Sequence, residues 1–246
     1  MFALIRIAYF CLLAVCSSGA FANVHSVLAP SDSSLDLAPS MSPLDTLPHR
    51  ALPPAEPFNF RSRRVPTEIT TKWSELQSRI SADEKAHAAC RSGERPCSQA
   101  ELRFLSIIEL AQKREGRARL GWLNRAINMS IKPANDWAQY GDSDYWASPL
   151  QTLASGTGDC EDYAIVKYVA LRAVGIDADD LRLVIVQDDK RRTEHAVLAV
   201  RYDQKWFILD NLTMAIITAE DVRGYRPLFA LNSASAIAVA GVDPTQ

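Results

Sequence analysis

Residues 156–175, GTGDCEDYAIVKYVALRAVG, decide the fold, because they read as a glycine-rich approach followed by a helix that begins at a cysteine. Asp159 suits the N-cap, apolar residues then recur at helical spacing, and Gly175 suits the C′ position. Cys160 is therefore predicted in the first turn, where free backbone N–H groups and the helix dipole favour a thiolate. The alternative is that Cys160 is a buried, inert small residue.

A nucleophilic cysteine needs a base, and the base needs an acid that orients it. Only one of the four histidines, His195, lies in an ordered-looking element beyond the cysteine. It opens the run HAVLAVRY, which is predicted to be a strand. A short polar turn leads to a second predicted strand, WFILDNL.

The register of this predicted hairpin brings an acid close to the histidine. With a two-residue loop, Tyr202 pairs with Lys205, and the same register sets His195 opposite Leu212. Asp210 then lies on the face of His195 as a diagonal neighbour, about 7–8 Å away at the backbone, which side chains can bridge. The order of helix, strand and strand thus predicts a triad of the cysteine, His195 and Asp210. The alternative for each residue taken singly is structural: His195 would be a hydrogen-bonded histidine at a strand end, and Asp210 would be an acid that caps a turn.

Three strings in this order, GDCEDYAIVKY, EHAVLAV and FILDNLT, resemble the bacterial transglutaminase-like cysteine proteinases. The resemblance runs over residues 122–231 and includes the aromatic block DSDYWASP. It implies an α+β, papain/transglutaminase-like fold with Cys160 as nucleophile, His195 as base and Asp210 as the orienting acid. It also implies a cysteine peptidase acting on a protein substrate, as in the family's periplasmic, calcium-dependent proteases that process adhesins.

Three acids beside the predicted nucleophile, Asp159, Glu161 and Asp162, would raise the pKa of its thiol. A bound cation resolves this conflict, and clustered carboxylate oxygens suit calcium. The resemblance implies calcium at the DCED string, held by Asp159 and Glu161, with Asp162 as a third candidate. The alternative is that the acids cap the helix or pair with basic residues such as Lys167. Zinc is not expected, because no Cys and His cluster has ligand spacing.

The first 22 residues have the form of a secretory signal. Arg6 is followed by an apolar run, and a small-x-small site at 20–22 precedes Asn23. The run is too short to span a membrane comfortably. We therefore expect a periplasmic or secreted protein without a membrane span. A lipoprotein signal ending before Cys16 is the alternative.

The cysteine count agrees with export. Removal of the predicted signal leaves three of the five cysteines, which suggests one disulfide and one free thiol. Cys90 and Cys97 flank a turn-rich loop that a disulfide would close, so Cys160 is the free thiol. In the alternative, Cys90 and Cys97 are both reduced and exposed.

The remaining chain divides into a linker, a domain and a tail. Residues 23–60 are rich in Pro, Ser and Ala and are predicted to be a disordered linker. Residues 61–231 are predicted to form one α+β domain, in which N-terminal helices pack on an antiparallel sheet. The helices are expected at 67–85, after Ser98, and at about 118–131. Residues 232–246 are predicted to be a flexible tail.

Aromatic residues concentrate in 132–149, just upstream of the cysteine. They either wall a substrate groove or pack against the core. The net charge of −2 gives no argument for nucleic acid or an anionic membrane. The function expected is an exported cysteine peptidase. The alternatives are a transglutaminase-type acyl transferase, which passes the acyl group to an amine, and a non-catalytic, calcium-responsive binding module.

Overall fold

The computed structural model describes residues 56–59, 61–62, 65–232 and 239–240. The predicted signal, 1–22, lies outside the described residues, as do most of the predicted linker and tail. All described residues belong to one compact unit of the chain. None of the helices found in these ranges has the length and apolar character needed to cross a membrane.

The helices lie mostly before the main sheet in the chain. They are α1 (Thr67–Arg91), α2 (Gln99–Gln112), α3 (Gly116–Ser130), α4 (Asp136–Tyr140), α5 (Pro149–Ser155) and α6 (Cys160–Ala173). Short strands precede or interrupt them: β1 (Arg61–Ser62), β2 (Lys132–Pro133) and β3 (Thr157–Gly158). The later strands are β4 (Leu181–Asp188), β5 (Thr193–Tyr202), β6 (Lys205–Leu209), β7 (Ile217–Thr218), β8 (Tyr225–Leu231) and β9 (Val239–Ala240).

The α2 helix begins with the capping box that its sequence predicts. The Ser98 side chain accepts from the Glu101 N–H, and the Glu101 carboxylate accepts from the Ser98 N–H. Just before it, a disulfide joins Cys90 to Cys97. Arg95, inside the disulfide loop, forms an ion pair with the buried Glu101. The disulfide and this pair tie the end of α1, which runs beyond residue 85, to the start of α2.

The main sheet has five antiparallel strands in the order β7-β6-β5-β4-β8. The β5–β6 hairpin has the predicted two-residue loop, and Tyr202 pairs with Lys205. Asp203 and Gln204 both have positive φ, as the tight turn requires. The sequence therefore predicts this end of the hairpin correctly. The α+β fold with an antiparallel sheet is confirmed.

The α6 helix packs against β4 and β5 and is buried along most of its length. Every residue from Asp162 to Leu171 is buried. Ile165 and Tyr168 join the core that also contains Leu183 and Leu198 of the sheet. A helix enclosed on all sides fixes the position of its first residue, because burial of its apolar side chains stabilises one placement.

A second apolar cluster covers the opposite face of the sheet, with Val186, Val197 and Trp206 among its buried members. Phe58, from the short 3-10 turn Pro57–Asn59, packs against it. Glu56 forms an ion pair with Arg182 of β4, with a Nη2–Oε1 distance of 2.8 Å. Residues 56–59 therefore contact the sheet and do not behave as the predicted linker. The reason is that Phe58 and Glu56 both find partners there.

Two parts of the predicted tail also contact the domain. The carbonyl of the buried Asn232 accepts a hydrogen bond from Trp73 Nε1 at 2.8 Å. Val239 and Ala240 form β9, which pairs with β1. These contacts differ from the flexible tail expected for 232–246. They arise from tertiary partners that local composition does not reveal.

Candidate active site

Cys160 is the first residue of α6, as predicted. Asp159 is the N-cap in an extended conformation, but its side chain makes no capping hydrogen bond. The chain reaches this point through β3, which pairs in parallel with β2. Cys160 is the free cysteine of the described residues and is partly buried against the core. Its thiol thus lies at a helix start whose approach is fixed by strand pairing.

His195 lies near the start of β5, against which α6 packs. It pairs with Val186 of β4 and is 6% exposed. Its Nε2 is 2.9 Å from Oδ1 of Asp210. The backbone N–H of the next residue, Ala196, lowers the pKa of the Cys160 thiol, but this effect is smaller than the effects of burial and of Glu161, which raise it. The helix that begins at the predicted nucleophile therefore packs against the strand that carries the predicted base.

Asp210 reaches His195 in a different way from the one predicted. The β5–β6 ladder ends at the pair Leu198–Leu209, so His195 and Leu212 are not paired. The chain turns at Asp210, whose Oδ1 also accepts from the Leu212 N–H at 2.9 Å. Asn128 of α3 donates its Nδ2 to the Asp210 carbonyl at 2.9 Å. A local turn and a helix contact replace the extended pairing, yet the acid still meets the histidine.

Tyr225, the first residue of β8, is a further member of this cluster that the sequence did not predict. Its hydroxyl donates to Asp210 Oδ2 at 2.7 Å. Its ring centroid lies 5.6 Å from that of His195. No local signal marks this tyrosine, because its relation to the other residues comes from strand order alone.

The charge of Asp210 is stabilised in place. Burial alone would raise the pKa of this carboxyl, but the hydrogen bonds from His195, Leu212 and Tyr225 bring it below its usual value. A buried carboxylate that stays ionised suits a residue that orients a histidine and balances its positive charge.

The electrostatics around Cys160 oppose a thiolate in the absence of a cation. Burial raises the pKa of the thiol, and the neighbouring Glu161 raises it further. The Sγ donates to Glu161 Oε2 at 3.1 Å. The helix dipole favours a thiolate by less than about 1 kcal/mol at most exposed sites and does not offset these effects. The conflict predicted from the DCED string is therefore present in the structure.

Three carboxylates form a cluster beside the thiol: Asp136, Asp159 and Glu161. One ligand atom from each lies within 4.8 Å of the other two. Buried Oδ1 atoms of Asp136 and Asp159 have no hydrogen-bond partner among the residues that the structure describes. Burial raises the pKa of all three, and in Asp159 the charge of Glu161 adds to this effect. Asp136 was missed by the sequence interpretation, because it is brought here by α4.

Asp162 lies outside this cluster and has a different partner. Its Oδ1 accepts from the Ala147 N–H at 3.0 Å. Burial raises its pKa to about 8, with a further contribution from Asp159. The third carboxylate beside Asp159 and Glu161 is therefore Asp136, and Asp162 instead holds the chain before α5.

The aromatic residues of 132–149 differ in their burial. Trp146 is 4% exposed and packs edge-on against Trp73 in the core. Trp137, by contrast, is 72% exposed on α4, the helix that supplies Asp136 to the acid cluster. A separate feature is a cavity of about 450 Å³, which opens beside Asp210 and Tyr225 and is lined by residues within 188–225.

Comparisons with known proteins show which family and fold this chain resembles. The family model described as "Bacterial transglutaminase-like cysteine proteinase BTLCP" matches residues 83–230. The solved structure of Legionella pneumophila LapG is 27% identical, with a TM-score of 0.52, and the match covers 64% of this chain and 87% of that chain. The EGTA-treated form of LapG from the same organism is 28% identical, with a TM-score of 0.50, over 61% and 81%. No curated protein matches the chain.

Proposed function

The chain belongs to the bacterial transglutaminase-like cysteine proteinases, and we propose that in this cysteine peptidase Cys160 is the nucleophile, His195 the base and Asp210 the acid that orients the base. The observation that supports this proposal most is the 2.9 Å contact between His195 Nε2 and Asp210 Oδ1. Because Nε2 faces the acid, Nδ1 is the ring nitrogen left to exchange a proton with the thiol.

The reaction follows from these roles. His195 takes the proton of Cys160, and the thiolate sulfur forms a bond to a peptide carbonyl carbon. Backbone N–H groups at the start of α6, including that of Cys160, stabilise the oxyanion. The C–N bond breaks, and His195 gives its proton to the leaving amine. Water then attacks the thioester, which releases the acid product and restores the thiol.

We propose that Asp136, Asp159 and Glu161 hold a calcium ion. Hard oxygen donors fit this ion, and the unpartnered Oδ1 atoms of Asp136 and Asp159 are available as ligands. When bound, calcium supplies positive charge that offsets the field of the acids at the thiol. The acids themselves then cease to disfavour the thiolate of Cys160.

The substrate class and the compartment complete the proposal. A protein substrate follows from the family, and we place it in the periplasm or at the cell surface because residues 1–22 have the form of a signal. The disulfide between Cys90 and Cys97 supports an oxidising compartment. Mass spectrometry of protein from a periplasmic or secreted fraction should find Asn23 as the first residue. An uncleaved chain confined to the cytoplasm would contradict export.

A chromogenic ester tests the acyl-enzyme step without knowledge of the substrate. In calcium buffer, p-nitrophenyl acetate should release a burst of nitrophenolate and add one acetyl group to Cys160. Both signals should disappear in Cys160→Ser and fall by at least about a hundredfold in His195→Ala. Lys113→Met, at an exposed position, is the control and should match the parent.

The same assay separates hydrolysis from amine transfer. With methylamine present, a peptidase should release mostly acetate, whereas a transglutaminase-type enzyme should form N-methylacetamide.

Acetylation of Cys160 that is equal in the parent and in His195→Ala would contradict the proposed triad. Combined replacement of Asp136, Asp159 and Glu161 by their amides should abolish the response to calcium.

A further inference from the structure

Tyr225 connects the far side of the sheet to the proposed triad. It begins β8, which is separated from β5 by β4 in the sheet. In the ladder it pairs with Asp188 at the end of β4. Its side chain nevertheless reaches over this end, because its hydroxyl lies 2.7 Å from Asp210 Oδ2 and its ring lies beside His195.

With this contact, both oxygens of the Asp210 carboxylate have partners. Oδ1 accepts from His195 Nε2 and from the Leu212 N–H, and Oδ2 accepts from the Tyr225 hydroxyl. The Asp210 side chain is 7% exposed, so water is a poor substitute for a lost partner. Rotation of the carboxylate about its terminal torsion would break all three hydrogen bonds at once.

We propose that Tyr225 is a positioning residue that fixes the Asp210 carboxylate in the orientation in which Oδ1 meets His195. This inference rests on the proposed function, since it gives Tyr225 a role only through Asp210. Tyr225 does not touch the reacting atoms in this role. It completes a chain of contacts from β8 through Asp210 to His195.

The hydroxyl and the ring of Tyr225 have separable tasks. The ring packs against the apolar cluster on the outer face of the sheet, together with Phe58 and Val222. The hydroxyl supplies the hydrogen bond to Asp210. Tyr225→Phe therefore keeps the packing and removes the positioning contact, which makes it a sharper test than a truncation.

The first test is the rate at which iodoacetamide alkylates Cys160 at one fixed pH in calcium buffer. Tyr225→Phe should slow this rate by about tenfold, a size typical of a lost hydrogen bond to a charged group. Its thermal midpoint should stay close to that of the parent. Tyr202→Phe, at the exposed end of β5, should react at the parent rate and controls for the loss of a tyrosine hydroxyl.

A double-mutant cycle identifies the route of the effect. In an Asp210→Asn background, Tyr225→Phe should cause no further loss, because the contact that it removes no longer orients the base. Equal losses in both backgrounds, or a parent-like rate for Tyr225→Phe, would overturn the role of Tyr225. A fall in thermal midpoint with an unchanged rate would also overturn it, since that is the result of packing alone.

A measurement on the unmodified protein covers the case in which the variant does not fold. The Tyr225 hydroxyl proton should give a slowly exchanging low-field NMR signal with a nuclear Overhauser effect to the His195 ring. A rapidly exchanging hydroxyl without that effect would overturn the inference.

The alkylation rate of His195→Ala separates failure of the proposed triad from failure of this inference. If His195→Ala alkylates as fast as the parent, the triad itself fails. If only His195→Ala is slow, the triad stands and Tyr225 has no part in it.

Discussion

At the residue scale, one ring nitrogen of His195 fixes the position of the side chain. Nε2 is held by Asp210, which is almost fully buried and keeps its charge through several hydrogen bonds. The ring is thereby fixed in orientation before any substrate arrives. Such preorganisation is worth most where water is excluded, and both side chains are less than 8% exposed.

Gly158, just before the helix start, is required because Asp162 packs against it. A Cβ at this position would lie 2.7 Å from Asp162 Oδ2 and 2.8 Å from its Cβ. Since Asp162 is fully buried and holds Ala147, it has little room to move. We expect Gly158→Ala to lower the free energy of unfolding by about 1–3 kcal/mol, measured by urea denaturation.

Gly121, inside α3, provides the matched control for that substitution. Its added Cβ would meet no atom closer than Arg125 Nη1 at 3.8 Å, which is an ordinary contact. Because alanine favours the helix, Gly121→Ala should raise the free energy of unfolding by about 0.5–1 kcal/mol. Equal effects of the two substitutions would show that Asp162 does not crowd Gly158.

At the element scale, α6 carries both the nucleophile and a buried lysine. Lys167, two turns after Cys160, is 1% exposed, and its Nζ finds no hydrogen-bond partner in the described part of the chain. The Nζ lies 5.9 Å from the centroid of the Tyr163 ring. Burial lowers the pKa of its ammonium to about 7, against a smaller opposing effect of Asp210.

This lysine predicts how stability depends on pH. Between the folded pKa of about 7 and the ordinary lysine value, the unfolded chain binds more protons, so this group's contribution to stability rises with pH. Below pH 7 the amine is charged in both states, and the full free-energy cost of burying that charge lowers the stability. Lys167→Met should therefore stabilise the protein near neutral pH, by no more than about 4 kcal/mol, and this gain should shrink by pH 10.

Urea denaturation at pH 6, 8 and 10 measures this effect as the difference between Lys167→Met and the parent. Comparison with the parent cancels the titration of other groups. Lys113→Met, at an exposed position at the end of α2, controls for the general loss of a lysine. A difference that stays constant across the three pH values would contradict a buried amine that changes its protonation on unfolding.

The elements that the sequence predicts well are those set by neighbours in the chain. The helix start at Cys160, the capping box at Ser98 and the Tyr202–Lys205 turn all follow from local rules, and all are present.

The candidate site needed tertiary information that a single sequence does not carry. Asp136 joins the acids through the placement of α4, and Tyr225 joins Asp210 through strand order. The meeting of His195 with Asp210 was predicted, but through a ladder that ends too early for it. Residue type and order thus predicted the three residues of the proposed triad, whereas the Tyr225 contact and the third carboxylate, Asp136, came only with the fold.

At the scale of the whole molecule, the site lies where the helical layer meets the sheet. The proposed nucleophile lies at the start of α6, the proposed base lies in β5, and the acid lies in the turn after β6. The acid cluster joins α4 to the start of α6. Each layer therefore supplies a part that the other lacks. In the proposed function, the reactivity of the Cys160 thiol depends on the cation that neutralises the acid cluster.

The most direct test of this account is the alkylation of Cys160 by iodoacetamide, measured by mass spectrometry in calcium and after EGTA. The account predicts fast labelling of the parent near pH 7 in calcium, and much slower labelling both after chelation and in His195→Ala. Labelling of the parent at the rate of an ordinary thiol, unchanged by chelation and equal to that of His195→Ala, would contradict it.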